Sequence, residues 1–453
     1  MVSTQTLAAI RFGAGRGAGF RLPDGPDGLW HSLHDAEVLA PAPVTPWETR
    51  RARGEERRDL QAALRDADDP VQMARLRDLH RADRDDTFAD LRVQMARLAR
   101  APVGFAERLT RFWANHFAAQ RRGGVLRAGR AAFVEEALRP HLMGNFADML
   151  RAAALHPVML LYLDQQVSVG PHSRVGRRRG RGLNENLARE LLELHTLGRA
   201  GEYTQEDVTQ IARLLTGLAV NLEQGFFFEP RIAEPGIIEI FGKRYGGRPM
   251  MLSHVHALLD DLALRPETAQ HLAGKLARHF VSDSPDPQLV THMSVQFTRS
   301  GGDLPTLYRA MLEHPAAWTP DLAKTRSPFE MMAAALRATD LNGPDLGDLS
   351  PGQTRQFFTA PLQAMGEPFE QVPSPAGYGD DAAYWVTPAG LAARIDWAMR
   401  LAQRLSPAPD PRDFVEIALG DAASTGLRRA AGGAETRAQG VGLILSAPDF
   451  NRR

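Results

Sequence analysis

Two carboxylates stand three positions apart in Asn184-Glu185-Asn186-Leu187-Ala188-Arg189-Glu190-Leu191-Leu192-Glu193-Leu194-His195. At about 100° per helical residue, Asn186, Glu190 and Glu193 share a narrow arc, with Leu183, Leu187, Leu191 and Leu194 opposite. His195 points with the apolar side. Facing water, the polar arc is a solvated surface. Facing a second layer, two carboxylates and an amide converge, and each carboxylate raises the other's pKa. That arrangement makes a general acid or a hard-metal site.

Arg111-Phe112-Trp113-Ala114-Asn115-His116-Phe117 is the second such segment. On a helix, Phe105, Leu109, Phe112 and His116 share one face. His116 then sits in an apolar stripe beside Trp113. It is either a core imidazole satisfied by a backbone carbonyl or a base or ligand with Asn115 nearby. Five arginines fall between Arg174 and Arg181. Their glycines deny the stretch helical or strand stability. Like charges so close repel unless an anion or carboxylates offset them. The stretch leads into the helix N-terminus at Asn184, which also favours negative charge.

The expected site follows. Glu190 and Glu193 supply acid–base chemistry of a hydrolase-like kind on an anionic polymer or conjugate, with His116 or His195 as a second titrating group. Trp113, Asn115, Asn184 and Asn186 contact and orient the substrate. Arg177, Arg178, Arg179 and Arg181 meet its anion. Hard ligands for a metal are Glu190, Glu193 and Asp207, with nitrogen from His116 or His195; the metal and any cofactor stay unknown. Whether the protein is an enzyme stays open.

Helices must carry these residues. From about Glu48 to Ala118, Leu, Val, Met and Ala recur at three- and four-residue spacing. A helix is expected from about Asn184 to Leu197, stopped at Gly198. Thr204 and Asp207 open the next as a capping-box variant. Further helices are expected over 251–263, 266–281, 286–299, 303–313, 327–338 and 388–405. The strand candidates, Phe226–Phe228 and Ile237–Phe241, flank Glu234-Pro235-Gly236 as one small hairpin. The class is all-α, multi-helical, one elaborated unit with a hairpin near 226–241. Its expected parts are a glycine- and proline-rich segment over 1–47, a helical region with the site over 48–225, the hairpin over 226–250, and a second helical region over 251–453. Residues 366–389 hold Phe369, Tyr378 and Trp385, which argues for a docked loop.

The 453 residues contain 54 basic and 54 acidic side chains and no cysteine. That excludes disulfides, zinc ribbons, iron–sulfur clusters and a cysteine nucleophile. Only Lys243, Lys275 and Lys324 are lysines. Residues 1–183 carry 29 basic and 21 acidic groups, so the halves are oppositely charged. A zero net charge, with no aromatics among the loop arginines, argues against nucleic acid. Gly13-Ala14-Gly15-Arg16-Gly17-Ala18 imitates a dinucleotide fingerprint but lacks a surrounding βαβ unit. No P-loop, nucleophile elbow or zinc helix occurs. No histidine has a glutamate three residues before it, which argues against a di-iron bundle. His254 and His256 lie two apart and face apart on a helix. No stretch of about 18 apolar residues occurs, so no membrane span is expected. The N-terminus does not read as a signal peptide, so a cytoplasmic location is expected.

Several segments together resemble the bacterial family called domain of unknown function 1800. They are Arg11-Phe12-Gly13, Phe112-Trp113-Ala114-Asn115-His116-Phe117, His156-Pro157 through Tyr162-Leu163-Asp164, and Gly182-Leu183-Asn184-Glu185-Asn186. They continue with Ala188 through Gly198, Tyr203-Thr204 with Asp207, Lys275 through Phe280, Gly301-Gly302-Asp303-Leu304 and Ser446 through Phe450. The resemblance spans nearly the whole chain and brings no established reaction. Relatives often carry histidine before Glu-Pro-Gly, where this chain has Ala233. They are often secreted and encoded beside a sulfatase-like family, domain of unknown function 1501. The resemblance thus implies an alternative: a noncatalytic helical partner of such a protein, exported with it.

Overall fold

The computed structural model describes residues 2–65, 68–120, 129–180, 182–340 and 344–453. The chain is 62% helical with two small antiparallel two-stranded sheets, a mostly-α, multi-helical fold. The elements that matter for the site are α1 (Pro70–Arg100), α2 (Phe105–His116), α3 (Asn186–Glu190) and α4 (Gln205–Leu215). A π turn, Leu191–His195, continues α3. After the strands come α5 (Leu252–Ala263), α6 (Pro266–Phe280), α7 (Pro287–Arg299) and α8 (Leu304–Glu313). Then follow α9 (Pro328–Ala338), α10 (Pro388–Arg404) and α11 (Arg437–Ser446).

Local chemistry sets these boundaries. Thr204 and Asp207 make the expected reciprocal cap on α4, and Ser327 and Glu330 make another on α9. Prolines open α6, α7 and α9, where a missing N–H costs nothing. Two expected strands form but do not pair with each other. Instead β1 (Leu218–Asn221) pairs with β2 (Gly225–Phe228), and β3 (Gly236–Ile240) with β4 (Lys243–Gly247). Phe241 and Gly242 both take positive φ, which suits the two-residue hairpin turn between β3 and β4. Glu234-Pro235 therefore joins two hairpins rather than closing one.

Two apolar cores result. The first gathers α2, the π turn, α4 and α5–α8 around Phe105, Trp113, Phe117, Phe146, Leu192 and Phe280. The second gathers α9–α11 and part of α1 around Met332, Leu336, Phe358, Trp397, Leu401 and Ile444. Trp113 is completely buried, and its Nε1 donates to Tyr308 Oη at 2.7 Å. Replacing such a side chain by alanine costs about 3–5 kcal/mol.

Candidate functional site

The two faces of α2 have different fates. Phe105, Leu109, Phe112 and His116 lie in the first core, as their spacing implies. His116 Nε2 donates to the His195 carbonyl at 3.2 Å, and His271 Nε2 to the Leu194 carbonyl at 3.0 Å. Two imidazoles thus satisfy carbonyls that the π turn leaves without helical partners. The His195 ring lies 6.0 Å from that of His116 and 5.0 Å from that of Phe117. Its two nitrogens have no partner among the described residues. Burial, then the Lys275 charge, lowers His116 well below the ordinary value and brings His195 to about 3 and His271 to about 4. Lys275 itself falls to about 8, mainly through burial.

Glu190 and Glu193 are partly buried neighbours. Burial, then Glu193, pushes the Glu190 carboxyl up. Glu193 meets Arg189 at 3.5 Å. Asn184 is occupied with backbone: its amide donates to the Asp164 carbonyl at 2.9 Å, and its Oδ1 accepts from Asn186 N at 2.9 Å. Asn186 is exposed. Asp207 is spent on its cap. Among the described residues, no three His, Asp or Glu side chains are grouped to hold a metal.

The arginine stretch departs from expectation. Gly176–Arg179 forms a helical turn despite its glycines. Neighbouring contacts hold it: Ser173 Oγ accepts from Gly176 N, Gly170 N donates to the Ile232 carbonyl, and buried Glu234 receives His172 N at 2.9 Å. Arg174, Arg177 and Arg178 are exposed. Arg181 and the Arg179 side chain lie outside what is described.

The other face of α2 opens on a cleft between the cores. Thr110, Arg111 and Asn115 line it, with Phe329 and Glu330 from α9, His279 from α6 and residues from 367–385. It encloses about 90 Å³. Glu190, Glu193, His116 and His195 do not line it; Asn115 does. His279 Nδ1 lies 2.7 Å from Asp380 Oδ1. His279 Nε2 is buried with no partner among the described residues. Burial would raise Asp380, but His279, then Arg453 and Lys324, bring it to about 2. A carboxylate there selects the Nδ1–H tautomer and leaves a lone pair on Nε2. Burial also lowers His279, against the pull of Asp380, so the ring is neutral near pH 7.

Ion pairs brace the cleft. Glu330 forms ion pairs with Arg108, its Nε 2.8 Å away, and with Arg453, its Nε 3.0 Å away. Arg111 meets Glu367 at 2.6 Å while its guanidinium lies 3.9 Å from the centre of the Phe329 ring. The sequence reading missed His279, Asp380, Glu330 and Glu367. Two signals pointed this way: the aromatic-bearing loop 366–389, and Lys275 through Phe280 among the resembling segments.

Such an arrangement holds a neutral imidazole with a fixed tautomer in a partly closed space, which suits proton abstraction from water or a hydroxyl. No curated protein and no solved structure matches the chain. A family model described as protein of unknown function (DUF1800) matches residues 31–452. On that match, covering nearly its whole length, the chain belongs to the DUF1800 family.

Proposed function

We propose that the protein is a hydrolase-like enzyme whose general base is His279, oriented by Asp380. The carrying observation is the 2.7 Å contact between His279 Nδ1 and Asp380, with Nε2 buried and without a partner among the described residues, on a residue that lines the cleft. Nε2 takes a proton from water as the water attacks the ester centre, and the Asp380 carboxylate stabilises the resulting imidazolium. The imidazolium returns the proton to the departing alcohol oxygen as the ester bond breaks. The exposed Arg174, Arg177 and Arg178 favour an anionic polymer or conjugate as substrate. A rival placement within the same function gives the acid–base work to Glu190 and Glu193, with His116 or His195. The raised Glu190 carboxyl supports it. The test is hydrolysis of sulfate, phosphate and carboxylate esters of glycans by wild type, His279→Gln and the Glu190→Gln/Glu193→Gln pair. Loss in the first variant alone supports the cleft; loss in the second alone supports the rival.

A second reading is a noncatalytic partner of a sulfatase-like protein. It is favoured by the exposed arginine turn, which suits an acidic surface. No helix among the described residues is long and apolar enough to cross a membrane. Co-purification with such a protein, lost on replacing Arg174, Arg177 and Arg178 with serine, would support this reading.

A further inference from the structure

The cleft is smaller than the substrates proposed for it. Its roughly 90 Å³ holds a few waters, whereas ordinary small-molecule sites occupy about 300–1,000 Å³. A wall that moves would admit such substrates. Residues 366–381 form that wall without regular secondary structure. They are tied internally as a compact loop, because Tyr378 Oη donates to the Pro368 carbonyl at 2.8 Å and lies 3.0 Å from the Gln371 carbonyl. Gly366 begins the segment at φ +92°, with no other atoms near the place a Cβ would take. It has room to pivot, at the cost of the bonds that Gly366 N and Glu367 N donate to the Gln363 and Leu362 carbonyls.

The early part of the segment is anchored: Val372 is fully buried, Phe369 packs on the second core, Glu367 accepts from Phe329 N at 2.8 Å and Glu370 from Ala131 N at 2.9 Å. Beyond Val372 the ties to the body are polar. Asn115 makes a paired contact: its Nδ2 donates to the Tyr378 carbonyl at 3.0 Å, and its Oδ1 accepts from Tyr378 N at 2.7 Å. Beside it, Gly377 at φ +77° lies so close that a Cβ would stand 2.4 Å from Asn115 Oδ1. Two residues on, Asp380 reaches His279, and its carbonyl accepts from Lys324 Nζ at 2.5 Å. Arg111 holds Glu367 at the other end.

We infer that residues 366–381 are a lid latched by Asn115, and that closing the lid delivers Asp380 to His279. Asn115 is then a positioning residue, not a substrate contact. Opening admits substrate; closing completes the dyad and excludes bulk water. This inference rests on the proposed role of His279, but its test does not require turnover.

The chain has no cysteine, so single cysteines report cleanly. Thr110→Cys places one in the cleft, and Ala153→Cys places one in the first core. Maleimide labelling is measured for each, with and without Asn115→Ala. Losing two ordinary hydrogen bonds should speed labelling at position 110 by about tenfold and leave position 153 unchanged. In Asn115→Ala, the ¹⁵N signals of the His279 ring should shift from the Nδ1–H form towards a tautomer mixture. Should Asn115→Ala fail to fold, Gly377→Ala forces the lid from the opposite side with the same expectations. Unchanged labelling at 110, equal acceleration at both positions, or an unchanged tautomer would overturn the lid. Lid behaviour without any hydrolysis would leave this inference standing and remove only the proposed reaction.

Discussion

His279 Nδ1 and Asp380 Oδ1 lie 2.7 Å apart across 101 positions of sequence. One sits on α6 of the first core and the other on a loop entering the second, so the pair exists only when the two halves are assembled. The same assembly buries Glu330 between Arg108 and Arg453.

The pH dependence of hydrolysis should carry a basic-form limb below the ordinary imidazole value of about 6.5. Burial lowers His279, so the active neutral ring persists below that pH and the rate is flat from there to neutrality. Asp380 opposes that lowering, so Asp380→Asn should move the limb lower still and reduce kcat by about 10²–10⁴-fold. A limb above 6.5 would contradict the assignment.

Stability should fall as pH drops below neutrality. In the unfolded chain imidazoles titrate near 6.5. In the folded chain His271 titrates at about 4 and His195 at about 3. Between those values the unfolded state binds more protons, so stability is fully present above pH 6.5 and is lost as pH falls towards 4 and then 3. The loss in Tm between pH 7.5 and 5.0 should be smaller in His195→Phe than in wild type. Equal losses would show that His195 does not contribute.

Removing one partner of a buried ion pair strands the others. Glu330→Ala leaves Arg108 and Arg453 uncompensated and should cost about 3–5 kcal/mol in urea unfolding. A cost under about 1 kcal/mol, typical of a surface pair, would contradict the buried network.

The exposed arginine turn should act on binding more than on folding. Arg174→Ser, Arg177→Ser and Arg178→Ser together should leave Tm nearly unchanged, because these side chains are exposed. Affinity for sulfated glycans, read by titration at two salt concentrations, should fall and lose its salt dependence. Unchanged affinity would remove the anion-binding role.

Helix order and most helix bounds after Thr204 were legible because α4–α10 carry apolar spacing, caps and opening prolines within single short windows. The buried stripe of Phe105, Leu109, Phe112 and His116 was legible for the same reason. Hairpin pairing was not, because it turned on positive φ at Phe241-Gly242, a weaker signal than Glu234-Pro235-Gly236. Asn115 was singled out beside His116, yet helical geometry sends the two to different faces, one to the cleft and one to the core. His279 and Asp380 could not be joined from sequence, since no local pattern records a contact between a helix and a distant loop. Asn184 braces the chain before the helix, its amide donating to the Asp164 carbonyl and its Oδ1 accepting from Asn186 N, contacts that no local pattern records.

The most direct test compares ester hydrolysis at pH 7.5 by wild type, His279→Gln and the Glu190→Gln/Glu193→Gln pair, all confirmed folded. Expected is turnover of at least one anionic conjugate by wild type, a loss of about 10²-fold or more in His279→Gln, and little change in the glutamate pair. Turnover that survives His279→Gln but vanishes with the glutamate pair would contradict the placement of the active centre at His279 and Asp380.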